Sequence, residues 1–204
     1  MSGETATPAS APEAEVAKGP RPRNAASLVL VRQRPAGLEV LMGRRPRKSR
    51  FAPDVFVFPG GGVEPGDYLA ATIRPLDPAC AKATGASPRL AHALAAAALR
   101  ETEEETGVVL PADHGALRLI ARAITPVRSP IRFHARFFLA DAETAIGDHA
   151  DSAELTDLAF RTLDETTKLP LMDVTEAVLA ALAEPRAPFL YSYRNGRPHW
   201  QVLG

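Results

Sequence analysis

A mixed α/β (α+β) fold is predicted, an α/β/α sandwich in which a mixed β-sheet carries a helix on each side. Three observations predict it. Short apolar runs rich in β-branched and aromatic residues recur along the chain, separated by Gly and Pro. One long stretch of strong helix formers, Arg89 to Thr106, interrupts them, and a shorter helical stretch follows near 173–183. Strand candidates stand on both sides of each helix, an order that suits helices layered on a common sheet.

Residues 1–23 are rich in Ala, Pro, Glu, Ser and Thr, with Val16 as the one branched aliphatic residue. Such a segment cannot bury enough apolar surface to offset its ordering entropy, so a disordered tail (1–23) and a single domain (24–204) are expected. Ala25 to Val31 reads as a buried strand and Leu38 to Met42 as a second, with Pro35 and Gly37 in the turn between them. Val55 to Phe58 is a third, running into Pro59 and three glycines, Gly60 to Gly62. Ser87 offers an N-cap hydroxyl, Pro88 suits the first helical position, and Gly107 suits the C-terminal stop of the long helix. Strands are expected around 117–124, 132–140 and 154–161, and a terminal hairpin over 188–202 turning at Asn195-Gly196.

Composition narrows the partners. The 24 basic and 24 acidic side chains balance, so no global field steers the chain to nucleic acid or to an anionic membrane. No apolar run approaches membrane-spanning length, and no basic segment followed by an apolar one marks a secretory signal. The single cysteine, Cys80, cannot form an internal disulfide, which suits a reducing, cytoplasmic setting. A small-molecule partner is therefore expected, with no nucleic acid and no membrane.

The end of the long helix goes against several local rules. Glu101, Glu104 and Glu105 sit at i, i+3 and i+4, so they share one face and repel. They also lie just before the helix C-terminus, where the dipole disfavours negative charge. Arg100 alone is placed to offer relief. A bound divalent cation resolves all of these conflicts, since hard cations such as Mg²⁺ take carboxylate oxygens. A solvated acidic face is the alternative for a glutamate run standing alone.

The glycine loop Phe58-Pro59-Gly60-Gly61-Gly62-Val63-Glu64-Pro65-Gly66-Asp67 precedes this helix, and its glycines allow close backbone approach to a ligand. Loop and helix end together resemble the box of the Nudix hydrolase superfamily: a glycine, five residues, a glutamate, seven residues, then Arg-Glu-aliphatic-x-Glu-Glu-x-Gly-aliphatic. Gly61 fits the first glycine, and Arg100, Glu101, Glu104, Glu105, Gly107 and Val108 fit the second half, with Thr102 at an aliphatic position. Two departures stand out. Asp67 replaces the glutamate, and 32 residues, 68–99, stand where the family has seven. Asp77-Pro78 and Gly85 punctuate this stretch as an inserted helical element leading into the catalytic helix. A box split in this way resembles the peroxisomal coenzyme A diphosphatases and their bacterial relatives. Arg50-Phe51-Ala52-Pro53, Thr125-Pro126, Arg132-Phe133 and Phe137-Phe138 are similar to that branch.

The resemblance implies a metal-dependent hydrolase that cuts a phosphoanhydride in a nucleoside diphosphate linked to another moiety, such as coenzyme A or acyl-coenzyme A. ADP-ribose, NADH or a nucleoside triphosphate are alternative substrates, and a non-catalytic binding or regulatory module is a different class altogether. Such a module should lack a box carboxylate, and this chain keeps all three. RNA decapping is disfavoured by the neutral charge balance. By resemblance, Glu101, Glu104 and Glu105 hold Mg²⁺ or Mn²⁺, with the Gly61 carbonyl as a further ligand, and Arg100 orients a box glutamate. Glu154 is the candidate base outside the box. For substrate, Arg44, Arg45 and Arg50 belong to a run of five cations in seven residues that could grip a phosphate or form a solvated basic loop, and Arg132 and Phe133 join them through the branch resemblance. His92 and His114, lacking partners at metal spacing, are expected to be structural or exposed, and Tyr193 and Trp200 to pack or steady the terminal hairpin rather than stack a base. The insertion is expected to wall the site, or else to build a homodimer contact.

Overall fold

A branched aliphatic run, Leu28–Val31, forms the axis of the sheet. In the computed structural model, which describes residues 19–203, β1 (Arg23–Arg34) carries Leu28, Val29 and Leu30 fully buried in succession. A strand of that kind must be covered on both faces. It is: Leu28 and Leu30 face one core with the long helix, and Val29 faces a second core with the last helix. β1 pairs antiparallel with β2 (Gly37–Arg44) and parallel with β6 (Phe133–Asp141).

Among the described residues nine strands make one mixed sheet. Its order is β3-β2-β1-β6-β5-β8-β9, where β3 is Phe56–Val57, β5 Arg118–Ile124, β8 Phe189–Arg194 and β9 Arg197–Val202. Off this path, β4 (Gly60–Gly62) pairs with β1 and β7 (Thr156–Thr162) with β2. Helix α1 (Pro78–Ala83) and helix α2 (Pro88–Thr106) lie on one face, and α4 (Asp173–Ala183) on the other. A short α3 (Leu163–Thr166) follows β7. The expected sandwich is the observed one. No helix among the described residues is long and apolar enough to cross a membrane.

α2 starts as its sequence dictates, with the Ser87 hydroxyl accepting from the Leu90 N–H and Pro88 behind it, and ends at Gly107 in the left-handed conformation. Ala91, Ala95, Ala97 and Ala98, all buried, keep its sheet-facing side small. Thr102, at the aliphatic box position, is fully buried and satisfies its hydroxyl on the Ala98 carbonyl at 2.7 Å. That bond removes the cost of burying a polar group there.

The inserted element is present. Asp77 caps α1 by accepting from Ala79 and Cys80, and Gly85 (φ 63°) ends it. Its apolar residues divide: Leu76 is buried and Leu90 packs partly on the core, whereas Leu69 and Ile73 are 84% and 71% exposed. The tail expected over residues 1–23 lies outside the described residues as far as residue 18. From Gly19 onward the chain is described, and Arg132 Nη1 donates to the Pro20 carbonyl at 2.9 Å, so attachment to the domain begins before residue 24.

Candidate active site

Two segments far apart in sequence build the site. β4 brings the glycine loop alongside β1, with Gly60, Gly61 and Gly62 opposite Ser27, Ala26 and Ala25. α2 brings its acidic end against that loop. The approach is closest at Gly61, where a Cβ would lie 2.3 Å from the Glu101 carboxylate carbon, so only glycine leaves room.

Arg100 fastens the two segments. Its Nε donates to Asp67 Oδ1 at 2.9 Å and its Nη2 to Asp67 Oδ2 at 3.1 Å, a two-pronged pairing. Nη1 reaches Glu101 at 2.9 Å and Glu104 at 3.0 Å, and Nη2 also reaches the Gly62 carbonyl at 3.0 Å. Asp67 is only 3% exposed and also accepts from the Glu64 N–H at 2.7 Å. That third bond belongs to the capping box of a 3₁₀ turn, Pro65–Leu69, which has no counterpart among the elements expected from sequence. Despite the insertion, loop and helix still meet, and Asp67 engages the box arginine.

Glu105 is almost wholly buried and accepts from the Gly60 N–H at 2.8 Å. Burial pushes its pKa up to about 7; the Gly60 bond and the cation of Arg45 pull it down, and the charges of Glu101 and Glu154 push it further up. Glu101 is raised too, first by burial and then by Glu104 and Glu154, against the pull of Arg100. The site therefore holds more negative charge than its own cations balance. Hard carboxylate oxygens in such surplus fit a hard divalent cation. The ligands are not arranged as a finished cage: among the described residues no group of three His, Cys, Asp or Glu side chains is poised to hold a metal. The hydrogen bonds give the reason, since Glu101 and Glu104 are turned onto Arg100 and Glu105 onto Gly60.

Beside the carboxylates opens a cavity of about 630 Å³. Arg100, Glu101, Glu104, Glu105, Gly61 and Glu154 lie on its lining, and Arg45 and Ser27 add polar groups. Much of the rest is aromatic: Phe51, Phe58, Phe133, Phe137, Tyr191 and Tyr193. Phe51 and Phe133 meet edge to face at 5.3 Å between ring centres. The start of α4 closes one side with Met172, Asp173, Val174 and Thr175, and the Tyr193 hydroxyl donates to Asp173.

Of the residues singled out for substrate, Arg45 and Phe133 line this cavity, while Arg44, Arg50 and Arg132 do not. Arg44 is drawn away by Asp54 at 2.8 Å. Arg50 is solvent-exposed, and Arg132 is spent on the carbonyls of Thr125 and Pro20. Glu154 does reach the site. Tyr193, expected only to steady the hairpin, lines the cavity, while Trp200 is 55% exposed against Arg186. Tyr191, Asp173 and Phe58 were not foreseen. The signal for the tyrosines was the alternation of Phe189, Tyr191 and Tyr193 along β8, which puts all three on one face.

No family model matches the chain, and no curated protein matches it. Solved structures do. A Nudix hydrolase from Alicyclobacillus acidocaldarius is 30% identical, with 79% of this chain and 91% of that one covered at a TM-score of 0.65. The chain belongs to the Nudix hydrolase superfamily. Two further structures share the Nudix fold at lower identity. The mutator MutT protein of Bacillus halodurans is 16% identical, with 87% of this chain and 97% of that one covered and a TM-score of 0.56. The Nudix domain of Shewanella oneidensis NrtR, solved with ADP ribose, is 16% identical, with 81% and 88% covered and a TM-score of 0.55. The glycine loop, Arg100 and the three glutamates described above are the segments of this chain that resemble the Nudix box.

Proposed function

We propose that this Nudix protein is a metal-dependent pyrophosphohydrolase that cleaves a phosphoanhydride in a nucleoside diphosphate linked to a bulky second moiety. One observation carries the reading: the three box carboxylates, Glu101 and Glu104 fastened to the glycine loop through Arg100 and Asp67 and Glu105 through the Gly60 N–H, stand at the edge of a roomy aromatic cavity. A degenerate binding module would have no need to keep this surplus of buried negative charge.

Glu101, Glu104, Glu105 and the Gly61 carbonyl would hold Mg²⁺ or Mn²⁺, which when bound offsets phosphate charge and makes water more acidic. The chain's own groups do the rest. Arg45, held at the cavity wall by its bond to the Phe51 carbonyl, pairs with a phosphate oxygen. Glu154 takes the proton of the attacking water as oxygen bonds to phosphorus and the bridging P–O bond breaks. Arg100 positions Glu101 and Glu104. The aromatic walls bury the organic part of the substrate, and Asp173 with Tyr193 offers it a polar contact.

Coenzyme A or acyl-coenzyme A is the favoured substrate. Phe51, Thr125, Pro126, Phe133 and Phe137, residues that resemble the coenzyme A diphosphatase branch, all line the cavity. The test is a panel of coenzyme A, acyl-coenzyme A, ADP-ribose, NADH, diadenosine polyphosphates and nucleoside triphosphates with Mg²⁺ or Mn²⁺. Glu104→Gln/Glu105→Gln should remove nearly all turnover while the chain stays folded. Wild-type turnover in that double variant rejects the metal-site assignment, and no turnover on any substrate rejects the enzyme.

A further inference from the structure

The face of the sheet turned away from the catalytic cavity carries an unusual charge cluster. Arg122 on β5 and Arg136 on β6 are direct cross-strand partners, so their side chains emerge together on the face covered by the α1–α2 connection. Like charges in that position repel. Arg136 is 2% exposed. It donates through Nε to the Thr84 carbonyl at 3.2 Å and through Nη1 to Asn24 Oδ1 at 2.8 Å. The Arg122 guanidinium lies against Gly85, so closely that a Cβ there would sit 2.4 Å from Nη1. The two guanidiniums thus flank the Thr84–Gly85 peptide.

Neither has a carboxylate among the described residues to balance it. Every partner found is a neutral carbonyl, an amide or the His134 ring, whose Nε2 accepts from Arg122 Nε at 3.3 Å. Burial is the largest cause of a lowered pKa at each of the three and the sole one at Arg122; Arg122 adds to it at Arg136, and both arginines add to it at His134. Buried charge that lacks a counter-charge is costly, and structural need explains only the donors of Arg136 that hold the end of α1. Both Nη groups of Arg122 and Nη2 of Arg136 make no hydrogen bond among the described residues and are not sealed from solvent.

We propose that Arg122, Arg136 and His134 form a binding site for a phosphate-class oxyanion on the insertion face of the sheet. Paired guanidinium forks suit an anion with several acceptor oxygens. A protonated His134 adds a third donor once the anion is present. Alternation along β5 and β6 puts Ala123, Ala135 and Phe137 of the catalytic cavity on the opposite face, so the two sites stand back to back across one sheet.

The test uses the full chain, inorganic phosphate, and chloride at matched ionic strength. Arg45→Gln removes the cavity's phosphate contact and Arg122→Gln removes the proposed one. Phosphate should raise the melting temperature by about 3 °C or more in the wild type and in R45Q, and by far less in R122Q. The His134 ring resonance should move with phosphate and not with chloride. An equal rise in R122Q, a rise lost in R45Q, or no rise anywhere overturns the site. If R122Q does not fold, the wild-type resonance decides, and a His134 signal indifferent to phosphate rejects the proposal.

Discussion

Gly61 and Glu101 come from different elements, yet the space between them is too small for a methyl group. Gly61→Ala should therefore push the Glu101 carboxylate aside. That carboxylate is the far end of a flexible side chain, so the fold should barely notice, with a melting temperature within about 2 °C of wild type. Turnover should fall at least about 10-fold, because a displaced ligand or proton acceptor is poorly aligned. Unchanged turnover would mean that Glu101 has no part in the chemistry. Asp67 works differently. Its carboxylate is buried under two bonds from Arg100 and one from Glu64, so Asp67→Asn leaves part of a buried ion pair unmatched. Urea unfolding should show a loss of about 1–3 kcal/mol, moderated because Arg100 keeps Glu101, Glu104 and Gly62. Asp67→Glu, which restores the family's residue, should retain more stability and turnover than D67N; equal behaviour of the two would show that charge at this position is irrelevant. These residues differ in how far they could be read in advance. Arg100 to Gly107 are contiguous, and their mutual repulsion was visible in the spacing alone. The bond of Asp67 spans the insertion and so had no local signature. Asp173 reaches the cavity from the far end of the chain by packing that no local pattern encodes, and the alternation along β8 shows which face Tyr191 shares but not what that face meets.

The elements with strong periodicity or punctuation fell where the sequence put them. α4 has the bounds expected of it, and the terminal hairpin turns at Asn195-Gly196, both with positive φ. The pieces missed were of three to five residues: β4, α3 and the 3₁₀ turns at Pro65–Leu69, His114–Ala116 and Ala142–Thr144. Such pieces are too short to show a period, and only local caps such as the Thr162–Glu165 box announce them. The insertion is the instructive case. It was expected to wall the active site, yet no residue of its stretch before Arg100 lines the main cavity, and only Tyr68 reaches a smaller cleft beside Glu101. Its inner side instead packs Leu76 and Cys80 on the core, and Thr84 takes the donor of Arg136. Replacing residues 70–84 with a short Gly-Ser linker should thus lower stability by about 2–4 kcal/mol, mainly through lost apolar burial and a disturbed Arg136. Preference across the substrate panel should hold. A changed preference at unchanged stability would restore the wall. Leu69 and Ile73 remain exposed on this element, so a sizing column run on Leu69→Ser/Ile73→Ser tests the homodimer contact in the same experiment.

Across the whole molecule, buried imidazoles set a limit on acid stability. His114 is 1% exposed, its Nδ1 has no hydrogen-bond partner, and its ring stands 4.8 Å from that of His92. Burial, then the neighbouring His92, lowers its pKa to about 4, from an ordinary 6.5. His134 is lowered to about 3, by burial first and then by Arg136 and Arg122. A histidine whose folded pKa is depressed stays neutral in the fold while the unfolded chain takes up a proton. Below about pH 6.5 the unfolded state therefore binds more protons, and stability falls as pH falls until the folded pKa is reached. Glu105 acts in the opposite sense, since its raised pKa favours the fold as pH drops from about 7 towards 4.5, and Glu101, also raised, acts with it, whereas the lowered Asp113, Asp151 and Glu165 side with the histidines in the metal-free chain. A single variant isolates one contribution. His114→Gln cannot titrate, so whatever it costs at pH 7, its gap from the wild type should narrow by about 2 kcal/mol on going to pH 5. Urea unfolding of both chains at the two pH values measures that gap directly. If the two stability curves run parallel, His114 is protonated in the fold as readily as in the unfolded chain, and the acid limit lies elsewhere.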